Sequence, residues 1–429
     1  MPKTSHSLIA RRLRSNPVVV RLLLFFSVFG PATISAMADN DAGGVATYSV
    51  AGATLGYPIL FVLFIVTFLL AITQEMGMRL TLVTRRGLAD LIREKFGVKV
   101  SILIFSALFI ANLGTLTAEI SAFKTTGAML NLPVIPFVLF IMVLLVLVVT
   151  RGNYKLTQAI MLISSLFYVA YIVSAVRAKP DWFLALSNIV YPHGVEVTPT
   201  YLRSYLLIGM GVIGTTITPW GQFFISSFAY DKKIEAGKIF YSQLETYIGA
   251  FLTDFFSFFM VVATAATLFV NKIPLESGEA AAMAIKPFAG EMAGTLFAVG
   301  ILVAGFMGLI AVSLSTAYAF AEFFGLQGSL DSNYKQSKSF YTLFILQLVL
   351  ALIIALLPGV SLFKVAIFSQ TINAVALPLV FYYLLKLAND ASLMGEYKNN
   401  AFQKWFTIIG SILIFIASAM VLAATFFKI

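Results

Sequence analysis

The stretch ADNDAGGVATYS, Ala38 to Ser49, interrupts an apolar run that otherwise reads as a membrane-crossing helix, and it does so with two aspartates, an asparagine and two adjacent glycines. A charge at the bilayer centre costs at least about 2.5 kcal/mol on insertion scales, so a carboxylate kept there faces a partner, a cavity or an ion. Gly43 and Gly44 ease departure from helical geometry. The segment therefore predicts a helix broken near mid-membrane, with Asp39 and Asp41 in the gap.

Composition supports the membrane setting. With 60% hydrophobic and 11% charged residues and a mean hydropathy of +0.94, the 429-residue chain does not read as soluble. About 20 apolar residues cross roughly 30 Å of hydrocarbon. Eleven runs meet that length, at about 18–55, 58–82, 99–123, 133–150, 155–176, 202–228, 239–270, 291–325, 338–357, 360–387 and 403–427. Their length and continuity favour helices over barrel strands. The expected class is an all-α integral membrane protein, with a cytoplasmic tail at 1–17 and one transmembrane domain at 18–428. The first run passes directly into GPATISAM (Gly30–Met37) with no cleavage site before the next polar loop, so it reads as a span rather than a removed signal peptide.

A cytoplasmic N-terminus places 21 of the 29 Lys and Arg in inner segments and leaves the C-terminus external, which satisfies the positive-inside bias. The net charge of +10 then needs no nucleic-acid partner, because topology and anionic inner-leaflet lipid account for it. The expected location is the cell (inner) membrane, with lipid as the surrounding partner and no obligate protein partner indicated. The absence of cysteine excludes disulfides and thiolate metal sites, and the two histidines, His6 and His193, lie outside the expected spans. No cofactor is implied. Enzyme signatures such as His-Glu-x-x-His or a Gly-x-x-x-x-Gly-Lys loop do not occur.

A second interruption lies five spans further on. LLIGMGVIGTTITPWGQFFISSF (Leu206–Phe228) carries TTITP at Thr215–Pro219, where Pro219 lacks an N–H and disfavours helical geometry at Thr218. Glycine and proline are common in membrane helices, and a lone kink more often reflects packing. Two interruptions five spans apart fit instead two inverted five-helix repeats, at about 18–176 and 202–387, followed by an extra helix at about 403–427. Broken helices 1 and 6 would then hold a cation or substrate at the midplane.

These residues resemble the Nramp (natural resistance-associated macrophage protein) divalent-metal transporters, which have the LeuT-like fold. GPATISAMADNDAGGVATYSVAGATLGY (Gly30–Tyr57) looks like the family's first helix, whose core motif is Asp-Pro-Gly-Asn followed by Phe-Ala-Thr. TRRGLADLIREKFG (Thr84–Gly97) and SQTINAVALPLVFYYLLKLAND (Ser369–Asp390) extend the likeness over nearly the whole chain. The resemblance puts Asp41 on the metal-binding aspartate, Ala42 in place of the proline, and Gly44 in place of the metal-binding asparagine. In span six, Thr218 stands for the metal-binding methionine, Trp220 for the histidine, and Thr215 for the backbone-carbonyl ligand. Ala38, Asp39 and Asn40 are further ligand or vestibule positions, and Gln370 resembles a glutamine that approaches the metal in occluded states.

The departures change the chemistry. A thioether selects transition ions over Mg²⁺ and Ca²⁺, so Thr218 leaves a site of hard oxygen, and Gly44 is expected to enlarge the cavity. Mg²⁺ sheds water reluctantly and binds through one or two carboxylates. The likeness is closest to the Nramp-related magnesium transporters, which implies transport of largely hydrated Mg²⁺, and of Mn²⁺, by alternating access. Glu119 occupies the first position of the family's acidic pair, but Ala122 replaces the second, Phe340 and Tyr341 stand where basic residues of span nine are expected, and Trp220 replaces the histidine. Glu119 is the residual proton-path position, free to pair with Lys124, and uptake uncoupled from protons is expected. Rival readings are a proton-coupled Mn²⁺/Fe²⁺ transporter and, more remotely, a LeuT-like amino-acid or organic-cation transporter. Glu75, Glu245, Asp254, Glu291 and Glu322 read as caps, ion pairs or water-lining groups.

Overall fold

Gly30, with φ of 139°, turns the chain out of the first helix so that Pro31 can open the next at its first position. The structure, a computed structural model, describes residues 17–284, 286 and 290–427. The expected first span is three helices: α1 (Pro17–Val28), α2 (Pro31–Ala38) and α3 (Ala42–Leu55). At the end of α2 the N–H groups of Asp39, Asn40 and Asp41 donate three residues back, to Ala36, Met37 and Ala38, at 3.2, 3.1 and 3.1 Å. The last turn thus tightens as helix ends commonly do. Asp41, extended at ψ 179°, then caps α3 by accepting from the Gly44 N–H.

The chain continues through α4 (Leu60–Thr84), α5 (Leu88–Met129), α6 (Val134–Arg151), α7 (Tyr154–Ser165), α8 (Val169–Arg177) and the short α9 (Trp182–Val190). The second break separates α10 (Pro199–Thr216) from α11 (Pro219–Asp231). There Ile217 and Thr218 leave helical geometry with ψ of 99° and 142°. Then follow α12 (Ile239–Thr264), the short α13 (Gly278–Met283), α14 (Ala293–Phe324), α15 (Lys338–Ala355), α16 (Leu362–Ala388), the short α17 (Ala391–Met394) and α18 (Ala401–Phe427). α5 extends beyond the expected span because a more polar segment, residues 88–96, joins it across a bend at Gly97, where φ is 83°; the part beyond the bend is the predominantly apolar one.

Among the described residues, nine helical stretches are long and apolar enough to cross a membrane. The other two expected spans, 18–55 and 202–228, are the broken ones. Their halves form the centre of the molecule: residues 31–49 and 219–229 are buried throughout. α12 packs on both α2 and α3, α16 on α3 and α10, and α5 on α14 and α16. α6 and α18 lie outside this core and expose Phe140, Val143, Leu413 and Phe415, side chains suited to hydrocarbon.

Candidate functional site

The N-terminus of a helix leaves four backbone N–H groups without intrahelical partners. At the buried N-terminus of α3 they are all accounted for. Asp41 Oδ1 accepts from Gly44 N–H at 2.7 Å, and the Asp41 N–H donates back to the Ala38 carbonyl at 3.1 Å. Glu119, reaching in from α5, accepts from Ala42 N–H through Oε2 at 3.0 Å and from Gly43 N–H through Oε1 at 2.9 Å. The positive end of the α3 dipole supports both carboxylates. Gly308 on α14 lies against the pair, since a Cβ there would come within 2.6 Å of both Asp41 Cβ and Glu119 Oε2.

At the second break, Thr218 caps α11 by accepting from Gly221 N–H at 3.0 Å, and its hydroxyl donates to Asp39 Oδ1 at 3.2 Å. Thr215 Oγ1 donates to the Asp39 carbonyl at 3.4 Å. The Thr215 carbonyl has no intrahelical donor, because the residue four positions on is Pro219. Asp39 thus meets Thr215 and Thr218 across the two breaks, with Asp41 two residues further along the chain; all four are at most 2% exposed.

Two polar atoms here are buried without partners: Asp39 Oδ2 and Gln370 Nε2. Gln370 bonds Asn373 through Oε1 at 2.7 Å, and its Nε2 lies 3.0 Å from where a Gly43 Cβ would stand. Buried orphans of this kind call for an account, and ordered water around a cation would offer a donor to the one and an acceptor to the other. The Ala38 carbonyl already accepts from Asp41 N–H. Asn40 is turned to α12: Nδ2 donates to the Thr253 carbonyl and hydroxyl at 3.0 and 2.8 Å, and Oδ1 accepts from Ser257 at 2.9 Å. Its carbonyl accepts from Tyr168 at 2.6 Å, so this residue clamps the break to its neighbours.

Two expectations need correction. Gly44 does not open a cavity: a Cβ there would lie 2.3 Å from the Asp39 carbonyl and 3.0 Å from Thr215 Oγ1. The space a side chain would take is already filled by the opposing backbone. Lys124 does not pair with Glu119, for its ammonium caps the end of α15 through the Ala355 and Val360 carbonyls at 2.5 and 3.1 Å. Among the other acids, Glu245 caps α2 in the way Glu119 caps α3, accepting from Gly30 and Thr33 N–H at 2.6 and 3.1 Å. Glu75 pairs with Arg79 at 2.7 Å, and Glu322 accepts from Ser227 at 2.6 Å. Sequence reading missed Tyr48, whose hydroxyl bonds Thr216 at 2.8 Å, and nothing in its local sequence marks it out.

Among the described residues no three His, Cys, Asp or Glu side chains are grouped to hold a metal. A cation at the breaks would therefore rely on one or two carboxylates, threonine and carbonyl oxygens, and water.

Comparison with known proteins gives a consistent picture. Residues 32–424 match a family described as "Natural resistance-associated macrophage protein-like". The chain is 23% identical over 414 residues to the divalent metal cation transporter MntH of Verminephrobacter eiseniae, covering 92% of this chain and 89% of that protein. It is 25% identical over 416 residues to MntH of Staphylococcus aureus, with 92% and 90% coverage. The solved manganese transporter of Eremococcus coleocola superposes with a TM-score of 0.77 at 19% identity, covering 96% of this chain and 90% of that one. A Na⁺-coupled sialic acid symporter superposes at 0.59 with 13% identity, covering 91% and 88%. The fold is that of the LeuT-like transporters.

Proposed function

Because the chain belongs to the Nramp family, we propose that this divalent metal cation transporter carries Mg²⁺, and Mn²⁺ with it, by alternating access and without moving protons. The ion binds largely hydrated between the breaks of helices 1 and 6. Asp41 supplies the indispensable charge, with the Thr215 carbonyl and the Thr218 hydroxyl beside it and Gly44 leaving backbone in place of a ligand. Asp39, the Ala38 carbonyl and Gln370 meet the ion's water shell.

The observation that carries this reading is the hard-oxygen character of the junction, where Asp39 Oδ2 is left without a partner and Thr218 stands opposite. Hard oxygen suits Mg²⁺ and Mn²⁺ alike. Two features support uncoupled transport. Glu119 has both oxygens committed to backbone N–H groups, and Ala122, Trp220, Phe340 and Tyr341 carry no titratable group in the range of a proton relay. An inside-negative potential contributes about 4.6 kcal/mol per 100 mV to a divalent cation, so influx needs no proton gradient. In this reading the protein lies in the cell membrane with its N-terminus cytoplasmic and its C-terminus external.

The test is Mg²⁺ influx into proteoliposomes loaded with a Mg²⁺-sensitive dye, with a pH-sensitive dye in parallel and Asp41→Ala as control. Influx that disappears in the variant and moves no protons supports the proposal. The manganese transporters among the relatives favour a second reading, proton-coupled Mn²⁺ transport. Mn²⁺ influx with proton uptake and no Mg²⁺ signal would establish that reading instead.

A further inference from the structure

Asp254, near the middle of α12, is a buried acid that makes no side-chain hydrogen bond to Asp39, Asp41, Thr215 or Thr218 of the junction described above. It is 5% exposed, its Oδ2 has no hydrogen-bond partner, and it takes part in none of the ion pairs among the described residues. It lines a cavity of about 180 Å³ between α4 and α12, walled by Leu63, Phe64, Phe251, Phe255 and Phe258 and roofed by Ile189 of α9. Phe64, Phe251 and Phe255 are 44–49% exposed on the molecule's apolar flank, so the crevice opens toward lipid. A single carboxylate with one free oxygen at the base of an aromatic pocket is poorly suited to a hydrated divalent ion, which requires many oxygen donors. It matches one positive charge on an apolar body: the carboxylate pairs the charge, and the ring faces attract it as well.

We propose that the crevice at Asp254 binds the charged end of a small lipophilic amine, and that the occupant inhibits transport from outside the ion's path. The room, equal to about six water volumes, admits an aryl-alkyl ammonium. Thr253 and Ser257, which flank Asp254 on α12, hold Asn40 at the first break. A molecule wedged between α4 and α12 therefore resists movement of that break.

The inference does not depend on which ion is carried. 2-Phenylethylammonium is titrated against thermal unfolding of the purified protein in detergent and against ion influx, with 2-phenylethanol as the uncharged match. The ammonium is expected to stabilise the protein and to inhibit influx, with no relief as the transported ion is raised. Both effects should weaken about tenfold or more for the alcohol and for Asp254→Asn, and Phe255→Ala, on the exposed wall, should weaken them with the fold intact. Equal action of alcohol and amine, or undiminished action on both variants, overturns the site. Relief by the transported ion also overturns it, by placing the amine at the junction. Because unfolding reads binding without transport, a failure here is distinct from a failure of the magnesium reading.

Discussion

Gly44→Ala separates what resemblance implies about this position from what the structure shows. If glycine serves to widen the site, an added methyl group costs little. In the structure that methyl carbon would stand 2.3 Å from the Asp39 carbonyl oxygen and 3.0 Å from Thr215 Oγ1. Reaching an ordinary carbon–oxygen separation requires the Asp39 backbone to retreat by about 1 Å. Asp39 is held by Thr215 and Thr218, so the movement forces the two breaks apart. Overpacking of a well-filled interior costs about 1–3 kcal/mol. Placed on the state in which the breaks meet, this is roughly a 5- to 150-fold loss in influx rate or in affinity. The assay is dye-reported Mg²⁺ and Mn²⁺ influx as a function of ion concentration, with thermal unfolding of the same preparation to confirm the fold. Gly44→Asn, which restores the side chain typical of the family, should be impaired at least as severely. Wild-type rates and affinities in Gly44→Ala, or a gain of Mn²⁺ preference in Gly44→Asn, would refute the close-contact argument.

Glu119→Gln keeps the size of the side chain but turns an N–H₂ toward one of two backbone donors. With charge-assisted bonds contributing about 1.5–3 kcal/mol each, unfolding should become easier by at least about 2 kcal/mol while the pH profile of residual influx stays unchanged; a flattened profile would make Glu119 a proton carrier. Thr218→Met removes the cap on Gly221 and the bond to Asp39, so stability should fall by about 1 kcal/mol, and competition assays should show Cd²⁺ and Mn²⁺ gaining on Mg²⁺; an unaltered order would dismiss Thr218 as a selector. Lys232, in the loop after α11, donates to the Val28 and Phe29 carbonyls, and burial pushes its ammonium from the usual 10.5 down to about 8. The folded state then releases this proton before the unfolded state does, so its contribution to stability should rise with pH between about 8 and 10.5. Melting curves of wild type and Lys232→Met across that window check the sign, and a wild-type curve that falls relative to the variant contradicts it.

What the sequence makes legible here is local. Thr218 and Pro219 break their helix through their own backbone chemistry, whereas Gly43 and Gly44, expected to unwind, lie in the first turn of α3 just past the break; Asp41 and Thr218 cap the halves that follow from three residues away. The apolar runs likewise announce their helices without reference to neighbours. Contacts across the chain were not legible. The N–H groups that donate to Glu119 and Glu245 are 76 or more and more than 200 residues away, so no spacing rule connects these glutamates to the termini they cap. Gly44 failed as a reading for the same reason, since its environment is the backbone of another segment. Asn40 reads as ambiguous until α12 is laid beside it, when both ends of its amide prove to be engaged.

The two glutamates give the broken first helix the mechanics of a jointed lever. Glu245 fastens the start of α2 to α12, and Glu119 fastens the start of α3 to α5. Each arm is bolted to a different strut, and the short Asp39–Asp41 link is the pivot. A swing of α3 that preserves its bolt must drag α5 along, while α2 stays anchored on α12. A swing that leaves α5 behind must tear a buried carboxylate from two amide protons. If transport runs by the proposed alternating access, its stroke would be set by how far those two struts can slide past one another, and stiffening the pivot or slackening either bolt should change its travel.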